Sequence, residues 1–402
     1  MNILLRLNLY FLLAVAVFDP ADLFVHAKVP LFLGVWTLIL ADIVLSRNRR
    51  YPVPTNLYYY VWIFVVLLPL IGMLVYALRG GGMDGNGGFA SYKPYLFLTL
   101  AIPLAMKRIN LVCPLTWILS VLSLVTIILY AITFNNDVLR SQLWFVGDSY
   151  TIFSLNERSY GSLSYHMVYF HTSPLLVIAI AYFCYQSLVL AGRARFWNVS
   201  LLLLNVCGMM LSGTRNNMIV GLLVPLMIIA WYKGTKARVA VAAALGFVLL
   251  AGLSSGVVQA MVSTDDLSNT VKLLHYQDYM RMFGDWRTLV FGQGLGATFY
   301  STALGTRVPV TELTYIEFIR TYGLAVACMF YYLLLYPLRT LGNEAARADH
   351  YLFLAYLGYL YLCTVNPLLL SSNGLLILAI VLVETFRWPV RRAWPVALAH
   401  GS

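Results

Sequence analysis

Charge is scarce in this sequence. Of its 402 residues 11% are charged, about half the share carried by a soluble globular chain. With 61% hydrophobic residues and a mean hydropathy of +0.78, the scarcity excludes the nucleic-acid-binding role that a net charge of +11 would otherwise suggest, because a basic soluble domain cannot leave so much apolar surface in water. Cysteine is scarce too. Cys113, Cys184, Cys207, Cys328 and Cys363 lie in or beside apolar runs without paired spacing, so they read as small core hydrophobes rather than disulfide partners or metal ligands. Internal repeats, coiled-coil heptads, a P-loop and a dinucleotide fingerprint are all missing, which argues against an ATP-driven machine and implies no cofactor. The first apolar run ends at Asp19-Pro20, where a signal peptide would carry small residues for cleavage.

Long apolar runs are what the sequence has in abundance. A spanning helix needs about 20 mostly apolar residues, and the runs predict an all-α polytopic membrane protein with about twelve transmembrane helices. They cover 4–19, 29–46, 57–78, 92–106, 113–134, 166–190, 198–213, 216–232, 239–262, 312–338, 350–366 and 373–387. Residues 199–232 form one apolar stretch broken only by Ser212-Gly213-Thr214-Arg215-Asn216-Asn217. As a single helix it would far exceed the ~30 Å hydrocarbon layer, so two spans with a turn at Ser-Gly-Thr-Arg are expected.

Lys and Arg in short loops are retained on the cytoplasmic side. Sixteen of the 27 fall in alternate short loops that include both chain ends, which places both termini in the cytoplasm. This division leaves +12 inside and −1 outside, so the net charge marks orientation rather than an anionic partner. Two outer segments are long, 135–165 and 263–311. Their aromatic content suits segments packed over the bundle rather than disorder, and Leu273 to Met282 is expected to form an interfacial amphipathic helix.

The outer segments and adjoining helix ends carry Arg140, Arg158, Arg215, Arg281, Arg287, Arg307 and Arg320. Arginine at membrane depth faces a cavity, a carboxylate or an anion, and its planar fork suits phosphate. Each also has a plainer account. Arg215 can snorkel at a hairpin, although Thr214, Asn216 and Asn217 beside it favour phosphate; Arg287 can pair with Asp285 or Asp278; Arg320 can pair with Glu317 three residues earlier. Arg140 and Arg158 suit structural or specificity roles. Glu312, expected to open the tenth span, reads either as an acid at a helix N-terminus or as a general base. His166 and His171, near the outer end of the sixth span, are expected to make buried hydrogen bonds. Phe291-Gly292-Gln293-Gly294-Leu295-Gly296 follows no strand, so it suggests a tight turn or close ligand approach rather than a nucleotide site.

In their order, three stretches resemble the O-antigen polymerase and O-antigen ligase superfamily, the Wzy-type membrane glycosyltransferases of bacterial envelopes. They are Ser212-Gly213-Thr214-Arg215; Trp286-Arg287 leading into the glycine-rich run; and Glu312 through Tyr315, Ile316, Arg320, Tyr322 and Gly323. The motifs cover about 195–335, the remainder matching only in topology. The resemblance implies a GT-C-like fold in the bacterial inner membrane and a periplasmic active site. It further implies an inverting, metal-independent transfer from an undecaprenyl-pyrophosphate-linked oligosaccharide, with Arg215 and Arg287 on the pyrophosphate and a chain-length regulator as a further partner. Arg281, Arg307, Arg320, Arg140, Arg158, Asn216 and Tyr315 complete the expected substrate-binding set. In the ligase branch a histidine opens the third motif; Glu312 stands there instead, which favours a polymerase with a carboxylate base. A ligase delivering polysaccharide to lipid A core is the nearer alternative, and a transporter of lipid-linked oligosaccharides the more distant one.

Overall fold

The computed structural model describes residues 2–45, 53–80, 86–160, 163–254, 267–343 and 350–391. The chain is largely helical. Six described helices are long and apolar enough to cross a membrane: Lys28–Leu45, Thr55–Leu78, Val112–Thr133, Gly192–Leu211, Arg215–Lys233 and Leu324–Gly342. Asn2–Phe18, Ser173–Val189 and Ser372–Phe386 are shorter apolar helices. Their outward residues, such as Leu40, Leu74 and Trp117, are large hydrophobics left exposed, as expected of a surface that faces hydrocarbon rather than water.

In chain order the helices are α1 (Asn2–Phe18), α2 (Lys28–Leu45), α3 (Thr55–Leu78), α4 (Asn86–Leu96), α5 (Ala101–Lys107), α6 (Val112–Thr133), α7 (Asp137–Ser149), α8 (Leu176–Val189), α9 (Gly192–Leu211), α10 (Arg215–Lys233) and α11 (Thr235–Ser254). They continue with α12 (Leu267–Phe283), α13 (Trp286–Phe291), α14 (Thr314–Tyr322), α15 (Leu324–Asn343), α16 (His350–Leu362) and α17 (Ser372–Arg391). Two antiparallel hairpins complete the fold: β1 (Phe153–Tyr160) with β2 (Leu163–Phe170), and β3 (Phe299–Ser301) with β4 (Thr306–Val308).

The helix pair α9 and α10 turns at Ser212-Gly213-Thr214, as the length of that apolar stretch requires. Several other expected spans are built differently. The sixth begins with a strand: Phe153, Leu155, Val168 and Phe170 are buried while Ser154 and Asn156 between them are not, the two-residue period of a half-buried hairpin. His166 and His171 therefore lie on and just after β2, outside the span. The tenth breaks at Gly323, where φ of +78° ends α14 before α15 begins, and Glu312 sits two residues ahead of the helix rather than on it. The fourth is interrupted by a 3₁₀ turn at Phe97–Leu100, and the eleventh ends at Leu362. The expected ninth extends beyond Ser254 into residues outside the described ones.

At one end of the bundle the connections converge. Thr172 Oγ1 donates to the Val17 carbonyl at 2.8 Å, Lys28 Nζ to Asn373 at 3.3 Å, and Tyr169 Oη to Asn366 at 3.1 Å. Asp42 and Lys107 form a buried ion pair near the C-terminal ends of α2 and α5. Within the bundle Asn205 bridges Ser120 and Ser123 of the neighbouring helix, so its amide does not face hydrocarbon unpaired.

Candidate active site

The helix α12 makes polar contacts along most of its length, and successive turns meet different parts of the fold. Asn269 Oδ1 accepts from Arg215 Nη1 at 2.9 Å. One turn on, Lys272 Nζ lies 3.9 Å from Glu312 Oε2. His275 Nε2 meets Ser301 Oγ at 2.9 Å, and the Asp278 carboxylate accepts from the Thr302 amide and hydroxyl at 2.8 and 2.6 Å. Tyr279 Oη donates to Glu317 at 2.5 Å and lies 2.6 Å from Thr311 Oγ1. Burial, with the Glu317 carboxylate next, holds the Tyr279 hydroxyl well above the usual phenol range, so it stays protonated and available to donate. The helix works as a strap tying the α10 N-terminus to the segment before α14.

Arg215 is the first residue of α10, and the hairpin β1–β2 fixes the turn that presents it. Tyr165 Oη donates to the Met210 carbonyl at 2.7 Å. Gly213 (φ +67°) packs so closely on β2 that a Cβ would fall 2.3 Å from Met167 Cβ. The Thr214 side chain caps no backbone amide, although Thr and Asn ordinarily satisfy the first N–H groups of a helix. Its hydroxyl and the Asn217 Oδ1 are buried without a hydrogen-bond partner among the described residues. Asn216 stands half-buried on the same first turn.

Arg320 is almost fully buried and saturated. Its Nε donates to Glu317 Oε2 at 3.0 Å, Nη1 to Gln293 Oε1 at 2.8 Å and the Ala297 carbonyl at 3.1 Å, and Nη2 to the Pro309 carbonyl at 2.9 Å. Of the accounts expected for Arg320, the structure gives the ion pair with Glu317, both side chains buried. A cavity of about 210 Å³ beside it, lined by Tyr95, Leu295, Pro309, Glu317, Arg320 and Pro367, offers little chemistry, since the Tyr95 and Tyr322 hydroxyls bond each other and Glu317 is held by Arg320.

The glycine-rich run is a backbone joint and not a ligand loop. Its amides are consumed: Gln293 N donates to the Arg320 carbonyl at 2.6 Å, Gly294 N to the Thr321 carbonyl at 2.9 Å and Leu295 N to the Gly72 carbonyl at 2.8 Å. Two of those acceptors are last-turn carbonyls of α14, which would otherwise be orphaned.

No family model, curated protein or solved structure matches this chain.

The remaining expected residues scatter. Arg287, on α13, is exposed and lies over the Trp286 ring at 5.9 Å. It follows the C-terminal end of α12, whereas Arg215 meets that helix at its third residue. A helix of 17 residues is roughly 25 Å long at 1.5 Å per residue, so the structure does not bring the two expected clamp arginines together. Asp285 pairs with Arg79 at 3.5 Å rather than with Arg287. Arg281 is exposed beside Asp278, Arg307 rests on Thr298, and Arg140 pairs with Asp137 and Glu157. Arg158 lies on β1 opposite Tyr165, its side chain outside the described part. Tyr315 Oη donates to the Leu360 carbonyl at 2.8 Å, a packing role. Sequence reasoning missed Asn269, Lys272 and Tyr279; their spacing along one helix face was the signal available. Among the described residues no three His, Cys, Asp or Glu side chains cluster in a way that would hold a metal.

Proposed function

We propose that the chain is a membrane glycosyltransferase that polymerises lipid-linked oligosaccharide repeat units. One observation carries the reading: consecutive turns of α12 meet Arg215, the first residue of a helix with no side-chain cap, through Asn269 and the carboxylate Glu312 through Lys272. A helix N-terminus with an arginine and a Thr hydroxyl is suited to a phosphate. A carboxylate within reach of the same ligand is suited to take a proton.

In the proposed reaction the acceptor sugar hydroxyl attacks the anomeric carbon of the donor from the face opposite its diphosphate. The new C–O bond forms as the bond to the diphosphate breaks, the bonding pair leaves with the diphosphate oxygen, and the hydroxyl proton passes to Glu312. One displacement inverts the anomeric centre. The departing group needs its charge stabilised more than it needs a proton, which is the task of Arg215 and the α10 N-terminus. Donor and acceptor are undecaprenyl-pyrophosphate-linked repeat units. On this reading the chain crosses the bacterial inner membrane about twelve times in a GT-C-like arrangement, both termini are cytoplasmic, and the strap lies on the periplasmic face.

Polymerisation from purified lipid-linked repeat units tests this, with Arg215→Ala and Glu312→Gln compared with wild type at equal membrane level. Both variants are expected to lose at least about 100-fold in rate, within the range a general base or a transition-state charge contact supplies. Full-length polymer from Glu312→Gln would remove the base assignment. In a strain lacking the protein, polymer accumulating on its lipid carrier would favour a ligase instead, and movement of single units across vesicles without growth a transporter.

A further inference from the structure

A diphosphate leaving group carries two phosphates, and one arginine is a thin counterweight for it. Arg287, which the sequence pattern offers as the second cation, stands beyond the far end of α12. Arg320 has its donors committed to Glu317, Gln293 and two carbonyls. Arg281 lies twelve residues along the strap from Asn269, roughly 18 Å at 1.5 Å per residue.

Lys272 is the cation one helical turn along the strap from the residue that holds Arg215. It stands three residues from Asn269, the residue that holds Arg215, and residues three apart on a helix are side-chain neighbours about 5–6 Å apart at Cβ. Its ammonium is half-buried and lies 3.9 Å from Glu312 Oε2, at the outer limit of an ion pair. The partner carboxylate is itself half exposed, and such a contact is worth little. A lysine is also a compact charge on a flexible four-carbon arm, able to exchange one oxyanion for another without moving the helix that bears it.

We propose that Lys272 is the second cation of the diphosphate site, holding the Glu312 carboxylate in the resting protein and turning to the diphosphate when the lipid-linked donor binds. This rests on the glycosyl-transfer reading above. The exchange ties the two halves of the reaction together, because the contact that neutralises the leaving group is the one given up by the base. Glu312 is then turned from its resting partner toward the acceptor hydroxyl only when a donor is in place. Hydrolysis of a donor whose diphosphate does not reach Lys272 is disfavoured by the same device, because Glu312 then stays with its resting partner.

The test is equilibrium binding of sugar-free undecaprenyl diphosphate to the full-length protein in lipid nanodiscs, which needs no turnover. Wild type is expected to bind, Lys272→Gln to bind about tenfold more weakly or worse, as for loss of a charge-assisted contact, Lys272→Arg to stay within about threefold, and Arg287→Ala to stay within about twofold of wild type. The same weakening is expected when inorganic pyrophosphate competes as the second probe, locating the effect at the headgroup; a loss confined to the lipid form overturns the assignment. Unchanged binding by Lys272→Gln overturns it while leaving glycosyl transfer standing. Absence of diphosphate binding by wild type removes both. If Lys272→Gln fails to fold, Lys272→Met keeps the stem and tests the charge alone, with normal affinity again the overturning result.

Discussion

Gly294 lies backbone to backbone with Tyr76 of α3: a Cβ built on it would fall 2.2 Å from the Tyr76 amide nitrogen. Gly323 answers it across the joint, where a Cβ would fall 2.1 Å from the Val290 carbonyl oxygen. Both also take positive φ, +92° and +78°. Gly294→Ala and Gly323→Ala are expected to cost about 3 kcal/mol or more each, from left-handed strain plus forced separation of backbones. Gly305 has φ of +66° with open space around it, so Gly305→Ala should cost only about 1 kcal/mol. Thermal unfolding of the solubilised proteins ranks the three, and equal melting temperatures would contradict the joint.

Removing one member of the Glu317–Arg320 pair leaves a buried uncompensated charge. Glu317→Gln or Arg320→Met alone should destabilise by about 3–5 kcal/mol, and the double variant by clearly less than the sum. A double-mutant cycle on unfolding free energy measures the difference; strict additivity would show that the two side chains do not act as a pair.

The hairpin β1–β2 should be weakened by acid. Burial first, and the Arg140 guanidinium second, hold the His166 imidazole below its ordinary 6.5, with Glu157 opposing; burial does the same to His171. The folded chain therefore binds fewer protons than the unfolded one near that pH. Stability from these neutral rings is complete above about 6.5 and is lost as pH falls. Melting temperature should drop between roughly pH 7 and pH 5, and a His166→Gln, His171→Asn double variant should flatten that slope. An unchanged slope in the double variant would place the acid sensitivity elsewhere.

Gly213→Ala should damage activity more than stability. The added methyl meets Met167 Cβ at 2.3 Å, and the turn it would displace carries Arg215. About 2 kcal/mol of stability is expected to go, with a larger loss in polymerisation rate measured at equal folded protein. A rate loss no greater than the loss of folded protein would mean the hairpin does not position Arg215.

The long apolar helices were legible from hydropathy because lipid imposes one period-free rule on every outward residue. Burial inside the bundle then follows from which faces remain. The strand at 163–170 was hidden because Met167, Val168, Tyr169 and Phe170 merge with the apolar helix after them; only the alternation Phe153, Ser154, Leu155, Asn156 on its partner strand signalled a hairpin. The pairing of Glu317 with Arg320 was readable from their i,i+3 spacing. Tyr279 closing over that pair was not, since it comes from a helix 38 positions earlier, and nothing local encodes that contact. The same limit separates Arg215 from Arg287, whose motifs adjoin in pattern while α12 holds them apart.

The joint at Gly292–Leu295 also sets where this chain can change in length. Three consecutive amides are spent on carbonyls of two different helices, so one inserted residue would shift every later pairing and leave α14 carbonyls bare. The tip of the β3–β4 hairpin, a few residues on, has no such double attachment. Insertion libraries should therefore recover folded protein with extra residues at 303–305 and none at 292–295, making the glycine run a fixed ruler between the strap and the bundle.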